Sequence, residues 1–226
     1  MVVLGIVAIL VGLALPALSA SYGRARLTRA MSTARQAAVL VDLYTREWKD
    51  VYPIWGAGAP SARSGWVFAL IDAGLAGSLD EIDPDRHRYP ERSSADGGVH
   101  WLLSMGLCYD PEKMVPGQTV VLPQVPEGPY LSSDEDMPHS PIRTGDVVYP
   151  SDKGMLAPVW VTWGPLTGPW CCLPNPQPAP VPFCDLHVEA LRWVECVKDG
   201  RVEGEYGIGF PVYSTWYGCR GRDRAN

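Results

Sequence analysis

The sequence predicts an α+β chain in which one long N-terminal helix packs on a small antiparallel β-sheet. Three observations carry this. From Met1 to Leu18 no residue carries a charge or a side-chain hydroxyl. From Ser21 to Asp50 helical periodicity continues with one Gly and no Pro. From residue 100 onward, short segments dense in β-branched and aromatic residues alternate with Pro and Gly, which is strand-and-turn punctuation.

The first element is a helix from about residue 2 to about residue 48, roughly 70 Å long at 1.5 Å per residue. Its first half, residues 1–22, is apolar on every face. Its second half, 23–50, is amphipathic: Leu27, Ala30, Met31, Ala34, Ala38, Val41 and Leu43 recur at three-to-four spacing, and Arg24, Arg35, Asp42 and Arg46 lie on other faces. Pro16 lacks a backbone donor and should kink the rod. The apolar run lacks the basic n-region of a secretory signal peptide, and Leu18-Ser19-Ala20 places a large residue where cleavage wants a small one. About 20 apolar residues suffice to cross a bilayer. The arginines that follow the run would by themselves hold the domain in the cytoplasm, whereas the cysteines argue for the opposite side.

The remainder, 51–226, reads as one globular domain. A Pro/Gly loop follows the helix. "SARSGWVFALIDAGL" then forms a short helix capped by Ser61 or Ser64, with Val67, Leu70, Ile71 and Leu75 on its inner face. Residues 76–98 read as a polar loop. Strands are predicted in "VHWLLSM", "TVVLPQV", "GDVVYPS", "PVWVTWG", "VPFCDLHVEALRW" and "FPVYSTWYG". Pro and Gly make about a fifth of the chain, which favours irregular connections.

The net charge of −6 excludes a typical nucleic-acid binder, which needs a basic face for phosphates. The local exception is Arg24, Arg26, Arg29 and Arg35, helically spaced just after the apolar run. The six cysteines, Cys108, Cys171, Cys172, Cys184, Cys196 and Cys219, are even in number and stand behind a membrane-length segment. That pattern predicts disulfides formed outside the cytoplasm, with the connectivity open.

Signals for catalysis are poor. There is no Gly-x-Ser-x-Gly elbow and no P-loop, and Gly207-Ile-Gly209 lacks the third glycine of a dinucleotide fingerprint. His87, His100, His139 and His187 stand in unrelated contexts. Asp185, His187 and Glu189 alternate, so a strand would put them on one face. The plain reading is a polar outer face, and the sharper one is a metal or acid/base site. Cys171, Cys172, Cys184 and His187 could bind zinc by type and number, but their spacing fits no familiar finger. Asp134, Glu135 and Asp136 cluster in a loop, where a solvated acidic turn is the plain reading and Ca²⁺ the sharper one. No enzyme activity and no obligatory cofactor is expected.

The stretch "VVLGIVAILVGLALPALSASYGRARLTRA" resembles the N-terminal helix of type IV pilins and type II secretion pseudopilins. In that family an apolar run ends in Leu-Pro-Ala-Leu and continues into an Arg/Ala-rich amphipathic turn; here Leu15-Pro16-Ala17-Leu18 and Arg24 to Arg35 match. The family's mature chain starts with Phe or Met and carries a Glu before the run. This sequence lacks that Glu and starts about six residues short of it. "PFCDLHVEALRW" resembles a second element of one pseudopilin-like group, Phe-Ala-Asp-Gly-His-Val. Here Cys184 replaces Ala, and Leu186 replaces a Gly that would suit a tight turn, because Leu resists positive φ.

The resemblance implies a pilin-like fold and a structural subunit that polymerises into a helical filament, a pilus or a secretion pseudopilus. It implies storage in the inner membrane with the domain outside the cytoplasm, handling by an assembly platform, a methylated N-terminus, and often a Ca²⁺ loop in major pseudopilins. Val3, Ile6, Leu10, Leu13 and Pro16 would then lie in the membrane or the filament core. The alternative is a monomeric, membrane-anchored envelope protein whose disulfide-stabilised domain binds another partner.

Overall fold

A computed structural model describes residues 2–53, 62–84, 100–104, 107, 142–161, 168–170, 176–196, 212 and 218–224. Its dominant element is α1, Val2–Glu47, a continuous helix that runs through Pro16. It ends where Lys49 and Asp50 turn left-handed, at φ 58° and 64°. The Asp50 N–H then reaches back to the Thr45 carbonyl at 2.7 Å, which satisfies one of the orphan acceptors of the last turn.

Helix α2 (Ala62–Asp72) and the single-turn α3 (Leu79–Ile82) follow. In α2, Val67 and Leu70 are fully buried, and Ile71 and Leu75 pack partly against the same cluster. Ser61 lies outside the described residues. The segment 76–98, expected as a loop throughout, contains α3. Leu79 and Ile82 give that turn an apolar side that packs into the core, and this rewards one helical turn in an otherwise polar stretch.

The strands are β1 (Trp101–Leu103), β2 (Leu156–Pro158), β3 (Trp160–Val161), β4 (Gly168–Pro169), β5 (Ala179–Pro182) and β6 (Val188–Leu191). The described residues hold them as three two-stranded antiparallel ladders, β1–β2, β3–β4 and β5–β6, in place of the single small sheet expected. Prolines help to divide them. Pro158, Pro169, Pro180 and Pro182 offer no N–H to a ladder, so neighbouring strands cannot zip on continuously. The ladders are stitched by single bonds instead: Met155 N–H donates to the Pro182 carbonyl at 2.7 Å, and Trp170 N–H to the Val159 carbonyl at 2.9 Å. "GDVVYPS" is not a strand. Thr144–Asp146 is a 3₁₀ turn, with the Asp146 carboxylate accepting the Arg143 N–H at 2.9 Å. "TVVLPQV" lies outside the described residues, as does all of "FPVYSTWYG" except Val212 and Gly218.

The hairpin β5–β6 is the floor on which α1 sits. Its register pairs Ala179 with Leu191 and Pro182 with Val188. Phe183 N–H bonds the His187 carbonyl, and Leu186 N–H bonds the Phe183 carbonyl, each at 2.9 Å. The connection is therefore Cys184-Asp185-Leu186. A three-residue hairpin of this type needs its last residue left-handed, and Leu186 has φ 70°. The turn keeps the backbone that a glycine would take, with a leucine in it.

Above this floor, Ala34, Ala37, Ala38 and Val41 of α1 are fully buried. A run of alanines lets the helix axis come close to the hairpin. One cluster joins this stripe to Trp66, Trp101, Trp170, Phe183 and Trp193. Buried Thr33 and Thr45 satisfy their hydroxyls on the helix itself, through the Arg29 carbonyl at 3.1 Å and the Asp42 carbonyl at 2.8 Å.

Leu186 yields a direct test. Replacing it by Ala or by Gly removes the same packing, but only Gly is relaxed at positive φ. The Leu186→Gly chain should be more stable than Leu186→Ala by about 1 kcal/mol, the reverse of the usual order in regular structure. Urea unfolding of the two variants in detergent, followed by tryptophan fluorescence, checks this; an Ala variant equal to or above Gly removes the strained turn.

Candidate functional site

The first half of α1 is the surface that needs a function. Val3 is 72% exposed, Leu10 61% and Leu13 72%. Ile6 and Pro16 are exposed as well. Within the apolar window none of the helix is buried inside the protein. Burial begins at Ala30. The helix is thus solvent-incompatible over one half and anchored to the globular body by the other. Folding leaves the backbone no reason to break between them, because beyond the first turn every residue of the rod except Pro16 has an N–H whose acceptor lies within the helix. Pro16 withdraws the donor that the Gly12 carbonyl would receive. By length and composition this helix can cross a membrane.

Just beyond the apolar run stands a polar collar. The Arg26 guanidinium lies 4.4 Å over the Tyr22 ring and bonds the Tyr22 hydroxyl at 3.0 Å. This pair is spaced i,i+4, so the helix presents both on one face.

The body that holds α1 contains a buried ion pair that the sequence did not announce. Lys153 and Asp223 are both fully buried, with Nζ at 3.3 Å from Oδ1 and 3.2 Å from Oδ2. Oδ2 also accepts the Gly154 N–H at 2.9 Å. The contact needs a glycine: a Cβ on Gly154 would collide with Val212 Cγ1 and come within 3.2 Å of Val181. The segment 222–224 is held in place by Asp223 N–H on the Asp152 carbonyl at 2.8 Å and by the bridge between Arg224 and Cys196. A second buried pair links α3 to β1. Asp83 Oδ2 accepts both the His100 N–H at 2.6 Å and the ring Nδ1 at 2.8 Å. These are structural ties; Lys153, Asp223 and Asp83 lie in polar stretches whose composition gave no periodic signal, and His100 lies at the start of a predicted strand.

Of Asp185, His187 and Glu189 the structure brings two together and not the third, which corrects the strand reading: the Asp185 carboxylate meets the His187 ring Nδ1 at 2.5 Å, while Glu189 lies apart. Asp185 sits in the turn and receives the His187 N–H at 3.2 Å. The His187 ring stacks on Phe183, centroids 4.3 Å apart. Glu189, on β6, pairs with Arg224 at 3.1 Å. The hairpin turn intervenes before the strand begins, so the turn itself joins Asp185 to His187 and the strand alternation does not add Glu189 to them. Among the described residues no three His, Cys, Asp or Glu side chains come together as a metal site would require. Asp134, Glu135 and Asp136 lie outside the described residues, and so do Cys108, Cys171 and Cys172.

Cys184, Cys196 and Cys219 are not joined to one another. Burial pushes the thiols of Cys184 and Cys196 each up to about 12. Burial, and then the neighbouring Cys184 thiol, also raises the Tyr52 hydroxyl. Tyr52 bonds Cys184, and this ties the residues just after α1 to the hairpin turn.

No protein-family model matches the chain, no curated protein matches it, and no solved structure matches its fold.

Two outcomes follow from this geometry. Lys153→Met leaves Asp223 buried without its cation, and breaking a buried pair costs about 3–5 kcal/mol. Adding Asp223→Asn should recover part of that loss, since the amide is neutral and its oxygen can still accept the Gly154 N–H. Urea midpoints of the single and double variants decide it; a single variant within about 0.5 kcal/mol of wild type would mean the pair is not enclosed.

The thiols set an alkaline limit. Their folded values exceed the ordinary 9.0 and reach about 12. Below pH 9 both folded and unfolded chains keep these protons. Between about 9 and about 12 only the unfolded chain loses them, so stability should fall as pH rises through that window. Thermal melts along an alkaline series check this; a flat profile would mean that Cys184 and Cys196 are not thiols in the native chain.

Proposed function

We propose that this chain is a structural subunit of a type IV pilus-like or type II secretion pseudopilus filament, assembling through the apolar half of α1. The observation that carries the reading is the fully exposed apolar rod continuous with a helix whose other half is gripped by the domain. A helix apolar on every face needs an apolar surround on every face. Lipid supplies it before assembly, and the rods of neighbouring subunits supply it in a polymer. The same surface is storage anchor and polymer core. In this reading the globular domain lies outside the cytoplasm, the assembled filament is periplasmic or extracellular, and Val3, Ile6, Leu10 and Leu13 pack on more than one neighbour. Support comes from the likeness of the Leu15-Pro16-Ala17-Leu18 and Arg24–Arg35 stretches, and from that of the Phe183–Val188 segment.

The test uses position 10. Leu10→Asp would bury an unpaired charge at a cost of several kcal/mol in every subunit contact, so filaments should disappear. Leu10→Ala keeps the span apolar and should still insert in the membrane, while the void it leaves weakens packing by about 2–5 kcal/mol and thins the filament population. Electron microscopy of sheared cells, with membrane fractionation alongside, reads both. Normal filaments from Leu10→Asp would remove this helix from the polymer core. A wild-type chain that stays in the membrane as a monomer under all conditions would favour the membrane-anchored envelope protein instead.

A further inference from the structure

We infer that the collar Tyr22, Arg24 and Arg26 is a binding site for anionic phospholipid headgroups in the leaflet from which the domain emerges. The inference rests on the membrane half of the proposed function and adds to it a lipid class and the residues that select it. Four facts converge on these three residues.

The first is depth. Val2 to Tyr22 spans about 30 Å of helix, the thickness of a bilayer's hydrocarbon core. The headgroup zone adds roughly 5–8 Å on each side. Arg24 lies about 3 Å and Arg26 about 6 Å beyond Tyr22, so both fall inside that zone, while Arg29 reaches its outer edge and Arg35 lies well outside. The second is direction. Side chains on a helix lean toward its N-terminus, which here is toward the bilayer. The arginines therefore reach back to the phosphates without leaving water.

The third is preorganisation. Arg26 stacks at 4.4 Å on the Tyr22 ring, whose hydroxyl it bonds at 3.0 Å, and its Nε is buried with no hydrogen-bond partner among the described residues. Tyr22 is 60% exposed, as suits an aromatic ring at a membrane interface. The ring fixes the guanidinium in place and leaves donors over for a phosphate, which arginine can hold with two parallel bonds. The fourth is charge. No Asp or Glu precedes Asp42 in the chain, so the helix offers this collar no acid of its own within reach. A counter-charge at this depth can come from the phosphates of the headgroup layer.

The experiment reconstitutes the full chain in bilayers of equal phosphatidylcholine and phosphatidylglycerol, extracts it in mild detergent, and counts retained lipids by native mass spectrometry. Phosphatidylglycerol should be enriched over phosphatidylcholine among the retained lipids. Arg24→Gln and Arg26→Gln should each cut the enrichment, by up to roughly fivefold per arginine. Arg46→Gln, which alters a cation paired with Asp42 at the far end of α1, should leave it unchanged. Retained lipid that mirrors the bulk mixture would overturn the inference, and so would an equal effect of Arg46→Gln. If the Arg24→Gln/Arg26→Gln chain keeps its lipid ratio but loses subunit cross-links, the collar meets an acidic face of a second copy and the lipid site is overturned. A wild-type chain that enters bilayers of neither composition overturns the membrane reading itself, an outcome distinct from all of these.

Discussion

Everything in this molecule depends on one continuous backbone ladder that joins an exposed apolar half to a half held by the domain. Helix α1 has a hydrogen-bond pattern that does not register whether its side chains face lipid, protein or water. Only the side chains change: branched and unbranched apolar residues on every face as far as Leu18, then alanine on one face and arginine on the others. The change takes a few residues, between Leu18 and Ala30, and no loop separates the two halves. Any force applied to the rod is therefore carried by covalent and helical structure into the stripe Ala34, Ala37, Ala38 and Val41, where the domain holds it.

The grip is built from small residues and a short hairpin more than from a broad sheet. Alanines bring the helix close, and β5–β6 supplies a floor only four residues long in each strand. Such a floor would be marginal alone. It is braced from below by Met155 on Pro182, by Cys184 N–H on the Lys153 carbonyl at 2.9 Å, and by the Lys153–Asp223 pair beneath both. The charged pair lies next to residues that the hairpin turn itself contacts. Its loss would thus be felt at the helix as well as at the segment 218–224.

Legibility in the sequence followed periodicity. Helix α1 was readable over its whole length, because an unbroken apolar run of membrane length leads straight into a stretch of helical spacing with no breaker between them but Pro16. Helix α2 was readable from Val67, Leu70 and Ile71. The hairpin was not readable: "VPFCDLHVEALRW" looked like one strand, because Leu186 concealed its turn, a leucine in the left-handed region running against local preference and held there by the pairing on either side. The division into three ladders was not readable, since alternation shows which residues face inward and not which strands become neighbours. Lys153, Asp223, Asp83 and His100 were hidden for a plain reason. Lys153, Asp223 and Asp83 sit in polar stretches that look solvated, His100 opens a predicted strand, and only the long-range fold brings the partners of a buried pair together. Asp185, His187 and Glu189 show the converse, where a pattern suited to one face is broken because the strand starts after its first member.

The separation in sequence between Lys153 and its counter-ion has a consequence for biosynthesis. Asp223 is made seventy residues after Lys153. A ribosome delivers α1 first, then the lysine, and the aspartate much later. Until that residue emerges, the buried Lys153 lacks the carboxylate it pairs with in the folded chain, and burying a charge short of its counter-ion is costly. The rod is ready for the bilayer early, while its own domain can close only late. Vectorial synthesis therefore orders the two events, completion of the rod before closure of the domain, without any further timing device.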